Sequence, residues 1–214
     1  MMNEQVIPAD KISKADDAME VVADEAIRAN TYSLLATLLA NPPSSDVLHL
    51  LKQIEVPQDN GGSGMAAVWQ TLRLAGERAT VAALEDEYHD LFIGLGRGEL
   101  VPYGSWYMSG FLMDRPLTVL RQDLAALGFE RQEDVHEPED HVAALCETMS
   151  LIIDSRDEIP FDTQRKFYGD HVVPWVGRFF SDLQEAKSAR FYRAVGQFGE
   201  QFIEIEKQYL NMLT

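Results

Sequence analysis

Apolar residues recur three and four positions apart along most of the chain, and alternation with a period of two is nowhere sustained. From Ala23 this spacing puts Ile27, Thr31, Leu34, Leu35, Leu38 and Leu39 on one helical face, and Asn41-Pro42-Pro43 stops the helix. Ser45 and Asp46 can cap a short helix through Ile54, and residues 57–64 are a flexible Gly/Ser/Asn loop. A helix from Met65 to about Arg78 follows, and another from Thr80 turns Val81, Leu84, Tyr88, Leu91 and Phe92 to one side. Beyond a loop punctuated by glycine, a helix is expected through Met113, and the next is striped by Leu117, Leu120, Leu124 and Leu127, with Gly128 as its stop. Residues 130–137 form an acidic connector. Pro138 suits the first turn of a helix carrying Val142, Leu145, Met149, Ile152 and Ile153. Two more stripes complete the chain: Phe167, Val172, Trp175, Val176 and Phe179, then Phe191, Val195, Phe198, Phe202 and Ile205. No strand is needed. The pattern predicts an all-α fold, a single bundle of about eight to ten helices.

Composition narrows what such a bundle does. The chain has 214 residues, with 18 Lys and Arg against 35 Asp and Glu, a net charge of −17. That charge repels nucleic acid and anionic lipid and favours a basic partner. No apolar run approaches the ~20 residues of a membrane span, and the N-terminal stretch lacks the pattern of a secretory signal. One cysteine, Cys146, excludes a disulfide framework, suits a reducing compartment and sits in an apolar helical pattern as an inert buried thiol. A cytoplasmic protein is expected. Residues 1–22 read as a flexible acidic arm ahead of a helical domain over residues 23–214, with residues 130–137 a hinge through which a monomer could swap into a homodimer.

Tests for catalysis give little. The histidines at 49, 89, 136, 141 and 171 form no H-E-x-x-H, and the spacing of His136 and His141 does not put both on one helix face. Asp86-x-x-His89 has no matching pair on a facing helix, so neither a metal nor another cofactor is expected. Gly94, Gly96 and Gly98 give G-x-G-x-G after a helix rather than a strand, without G-K-[ST], which fits a mobile connector better than a phosphate cradle. The enzyme alternative is a GTP- or ATP-binding or hydrolysing protein using this loop with Arg97.

Three segments ask for another explanation. Tyr88-His89-Asp90-Leu91-Phe92-Ile93-Gly94 reads as a helix end with Tyr88, Leu91 and Phe92 packed inward. Pro102-Tyr103-Gly104-Ser105-Trp106-Tyr107-Met108 puts three aromatics beside Pro and Gly, as core or as the lining of an apolar groove. In Glu137-Pro138-Glu139-Asp140-His141, Pro and acids suit a helix start. Glu137 and Asp140, three apart, could also point into one cleft and capture arginine through charge-assisted bonds.

In this order the segments resemble the TorD/DmsD family of redox-enzyme maturation chaperones. The elements are Tyr88-x-x-Leu91-Phe92, Pro102-Tyr103-Gly104-Ser105, Glu137-Pro138-x-Asp140-His141, and Gln164-x-x-Phe167-x-x-x-His171-x-x-Pro174-Trp175. The resemblance implies an all-helical, non-enzymatic cytoplasmic chaperone that binds the twin-arginine signal peptide and precursor of a molybdenum-cofactor oxidoreductase. It implies help with cofactor insertion and delay of export until the client has folded. A trimethylamine-N-oxide or dimethyl-sulfoxide reductase, or formate dehydrogenase, would be the client. The implied peptide-binding residues are Tyr88, Leu91, Phe92, Tyr103, Gly104, Ser105, Glu137, Pro138, Asp140 and His141, and chemistry adds Trp106 and Tyr107. His141 is either a pH-tuning neighbour of the acids or a satisfied interior histidine.

Overall fold

The centre of the molecule is the most apolar helix of the chain. In the computed structural model, which describes residues 9–56, 64–131 and 136–212 and the side chains from residue 23 onward within those ranges, this is helix Val142–Asp154. Around it, in chain order, lie α1 (Ala9–Ala40), α2 (Ser45–Lys52), α3 (Gly64–Arg78), α4 (Val81–Tyr88), α5 (Gly104–Ser109), α6 (Arg115–Ala126), the central helix as α7, α8 (Phe161–Phe167), α9 (Val176–Glu185) and α10 (Phe191–Met212). Among the described residues there is no strand, only one isolated bridge between Tyr103 and His141. The all-helical expectation holds.

Packing follows the apolar stripes. Val142, Leu145, Cys146, Met149, Ile152 and Ile153 of α7 are all buried, and each such side chain contributes roughly 1.5–3 kcal/mol relative to exposure. Helix α1 packs along α7, where the Ser150 hydroxyl donates to the Ala29 carbonyl at 2.9 Å. The other half is α10 with α9 and α3. Gly199 makes its close approach possible, since a Cβ there would stand 2.3 Å from the Phe180 ring. One buried ion pair ties the first helix to the last: Arg28 donates to Glu206 from Nε at 2.6 Å and from Nη2 at 3.0 Å.

Several boundaries depart from expectation. Helix α1 starts at Ala9 rather than Ala23, while the side chains of the expected arm, residues 1–22, lie outside the described residues. So does the loop at 57–63, and residues 132–135 of the expected hinge. Helix α5 ends at Ser109, because Gly110 takes a left-handed φ of 83°, so residues 110–113 are not helical. Pro138 precedes α7 instead of entering it. Residues 138–141 close a turn in which the His141 amide donates to the Pro138 carbonyl, and His141 itself is the N-cap. The stripe from Phe167 to Phe179 is broken by Pro174 into α8 and α9. Both α4 and α8 end in a wider, π-helical turn, His89–Ile93 and Tyr168–Val172.

Candidate functional site

The isolated bridge joins two of the segments singled out in the sequence. The Gly104 amide donates to the Asp140 carbonyl at 2.8 Å, and the Val142 amide donates to the Pro102 carbonyl at 2.9 Å. This brings Tyr103 beside His141, with ring centroids 5.1 Å apart and edge to face. The Asp140 side chain then turns toward α5 rather than α7: its Oδ2 accepts from the Ser105 amide at 2.7 Å. A buried carboxylate on a free amide at a helix start satisfies a donor that the helix cannot. Its other oxygen, Oδ1, is buried and has no hydrogen-bond partner.

Beside this bridge lies a cavity of about 520 Å³. Gly104 of α5, Val119, Leu120 and Asp123 of α6, Asp140 and Leu145 at the start of α7, and Asp170 and His171 after α8 all line it. Gly104 packs tightly on Trp175: a Cβ there would lie 3.1 Å from Nε1 and 3.2 Å from Cε2, so the indole would have to shift by a few tenths of an ångström. Trp175 is itself fixed by donating from Nε1 to the His171 carbonyl at 2.8 Å. His171, on the second π-helical turn, meets Asp123 of α6 at 2.8 Å and so ties α6 to the turn after α8. The cavity is mostly apolar in its lining, and its charged points are Asp114, Asp123, Asp140 and Asp170 against Arg115 and Lys166, the last of which pairs with Asp170.

The other acids of the segment are placed differently. The Tyr103 hydroxyl donates to Glu137, whose side chain is exposed and lines a second cavity with Arg121, Phe129 and Arg131. Partial burial, and then the charge of Asp140, raise the Glu137 carboxyl above its usual range. Glu139 already has a partner: Arg121 donates from Nε at 2.8 Å, and although burial pushes its carboxyl up, this bond together with a backbone amide and the charges of Arg121 and Arg131 holds it low. Glu137 and Asp140 thus border two cavities, not the single cleft their spacing suggested. Burial pushes the His141 ring down to about 4, so it is neutral at neutral pH, and its Nδ1 accepts from the Ala143 amide at 3.1 Å. Its role is to cap α7.

Tyr88, Leu91 and Phe92 lie behind the site. Leu91 is wholly buried, and the Tyr88 hydroxyl donates to the carbonyls of Leu39 at 3.2 Å and Ala40 at 2.9 Å, closing the end of α1. Burial first, and the Glu137 charge second, push the Tyr88 phenol up to about 12. Phe92 reaches Phe179, which also packs edge-on to Tyr107 and Trp175, so an aromatic layer connects this segment to the cavity wall. Trp106 is half-buried beneath the Arg97 guanidinium, 4.7 Å from its ring. Ser105 is buried and accepts from the Met113 amide at 3.2 Å. The glycine loop is tied down where it ends: the Glu99 and Leu100 amides donate back to the Asp90 and Leu91 carbonyls, and the Glu99 carboxylate accepts from the Lys187 and Ser188 amides. These commitments give no support to a phosphate cradle. Sequence reasoning missed Asp123 and His171 as cavity residues, since pairing across 48 positions leaves no periodic trace.

Comparison with known proteins gives this arrangement its class, and then its family. The fold matches a putative redox enzyme maturation protein from Archaeoglobus fulgidus, with a TM-score of 0.51 over 83% of this chain and 94% of that one, at 17% identity. Residues 58–181, more than half of the chain, match the model of the nitrate reductase delta subunit family. The chain belongs to that family, which includes the TorD chaperones of redox enzyme maturation. Chaperone protein TorD of Vibrio parahaemolyticus is 25% identical over 210 residues, covering 89% of this chain and 98% of its own. That of Shewanella pealeana is 23% identical over 212 residues, covering 91% and 94%. The family role is that of a chaperone and not of an enzyme. Among the described residues, no helix is long and apolar enough to cross a membrane.

Proposed function

We propose that this chaperone acts in the cytoplasm on the twin-arginine signal peptide and precursor of a molybdenum-cofactor oxidoreductase, assisting cofactor insertion and delaying export until the client has folded. Asp140 carries the reading. It is a buried carboxylate in the wall of an apolar cavity, and only one of its oxygens is committed within the chain. A guanidinium is the natural complement, because it brings several donors for the uncommitted oxygen and a single positive charge that matches the carboxylate. Glu137, exposed around the same turn, offers a second carboxylate to the neighbouring arginine, and the net charge of −17 steers a basic peptide toward both. Tyr103, Gly104, Ser105, Pro138 and His141 hold this pair of acids in place. Tyr88, Leu91 and Phe92 brace the wall from behind, and Trp106 flanks it.

Each charge-assisted bond contributes about 1.5–3 kcal/mol, so removing one carboxylate should weaken binding by tenfold or more. Calorimetric titration of a twin-arginine peptide into the wild type, Asp140→Asn and Glu137→Gln tests this. Both variants are expected to stay folded and lose affinity. Unchanged affinity in folded Asp140→Asn defeats the assignment. Capture of a precursor from anaerobically grown cells, identified by mass spectrometry, would name the client among the trimethylamine-N-oxide, dimethyl-sulfoxide and formate enzymes. A chaperone should hold the signal-bearing precursor and release the mature form.

A further inference from the structure

The wall residues account for the charge of such a ligand but not for its apolar part, since Leu91 is wholly buried and Phe92 packs inward. Another surface is free to receive it. Met108 at the end of α5 is 45% exposed, Phe111, Leu112 and Met113 between α5 and α6 are 71%, 51% and 73% exposed, and Val119 on α6 is 42% exposed. Met108 and Val119 line the same cavity as Asp140. Single exposed apolar residues are ordinary, but four within six positions, at the end of α5 and in the loop after it, mark a contact surface where the flanking Met108, Ser109 and Asp114 line the cavity.

The loop is built to hold these side chains outward. Gly110 turns the chain at the end of α5. The Ser109 hydroxyl meets the Phe111 amide at 3.4 Å, and the Ser105 hydroxyl anchors the Met113 amide. Met113 sits at a φ of 59°, a left-handed conformation that a side chain of this size rarely takes. A strained residue pinned by a buried serine and pointing into solvent has no use in the packing of this chain.

We propose that the rim formed by Met108, Phe111, Leu112, Met113 and Val119 receives the apolar stretch of the signal peptide whose arginine is taken by Asp140. Charge complementarity selects this occupant over a second copy of the chain, because the cavity's four aspartates, Asp114, Asp123, Asp140 and Asp170, outnumber its two cations, Arg115 and Lys166, and a partner with net charge −17 would be repelled. The inference rests on the reading of Asp140 given above.

The test is calorimetry on the full chain with two synthetic peptides, one carrying twin arginines and an apolar stretch, the other with that stretch replaced by serine. The Phe111→Ser/Met113→Ser variant is expected to lose at least tenfold in affinity for the first peptide and little for the second. Helical circular dichroism should be unchanged; if that pair does not fold, Leu112→Asn serves in its place, with the same selective loss expected. Wild-type affinity of the folded loop variant, alongside a loss in Asp140→Asn, overturns the rim and leaves the carboxylate standing. Failure of the wild type to bind either peptide overturns both. Concentration-dependent dimerisation that the loop substitutions abolish, with peptide affinity intact, assigns the rim to a second copy and also overturns the proposal.

Discussion

Two buried carboxylates in this molecule are met differently, one on both oxygens and one on a single oxygen. Glu206 on α10 is matched by Arg28, which bonds both of its oxygens and stacks 4.4 Å from the Tyr209 ring. Asp140 receives one backbone amide on Oδ2 and nothing on Oδ1. A buried ion pair met on both oxygens fixes the register of two helices. A buried carboxylate left half-met, in the wall of a cavity, keeps its remaining capacity for a donor from outside.

The sharpest way to break the comparison is to remove the matched acid. Glu206→Gln leaves Arg28 buried without its counter-charge and should cost about 3–5 kcal/mol in denaturant unfolding, while peptide affinity of the folded fraction is unchanged. Acid comes next, through the neighbour of the half-met acid. His141 must stay neutral to cap α7, with a folded value of about 4 against 6.5 in the unfolded chain. Its penalty is absent above pH 6.5 and grows as pH falls toward 4, where it reaches about 3 kcal/mol. His141→Asn, which keeps an acceptor for the Ala143 amide, should flatten that part of the pH–stability curve. Asp140→Asn is the milder substitution for stability, at about 1 kcal/mol by thermal melting, because an amide oxygen still accepts from Ser105. The smallest effect belongs to Met113→Gly. Relief of a positive φ and the added freedom of glycine nearly cancel, so stability should change by under about 1 kcal/mol while affinity for the apolar peptide falls.

Much of the fold was legible because burial writes itself at helical spacing. Leu145, Met149 and Ile152, or Phe191, Val195 and Phe198, need no tertiary information to be assigned to an interior face. The inward packing of Tyr88, Leu91 and Phe92 was legible for the same reason. The bridge of Tyr103 to His141 was not, since no local rule sets the register of two segments 38 residues apart. The helix ends at Ser109 and Val142 were misplaced where local propensity gave the wrong stop. Met113 looks like one more turn of helix, yet Gly110 and the Ser105 hydroxyl impose another path. Pro138 looks like a first-turn residue, yet the carboxylate of Asp140 is drawn to the amide of Ser105. Once these two segments are joined, the placement of Glu137 and Asp140 on separate cavities follows from the turn between them.

The bridge has a further consequence. Because Gly104 and Val142 exchange bonds with Asp140 and Pro102, the excursion that leaves at Ser105 returns to its point of departure before α7 begins. Everything between, including the apolar rim and α6, is a closed loop on a fixed base. The entropy of such a loop grows only with the logarithm of its length, so residues added or lost away from its anchors disturb the base by a fraction of a kcal/mol. The same framework can therefore carry rims of different length and composition without disturbing the base that holds Asp140.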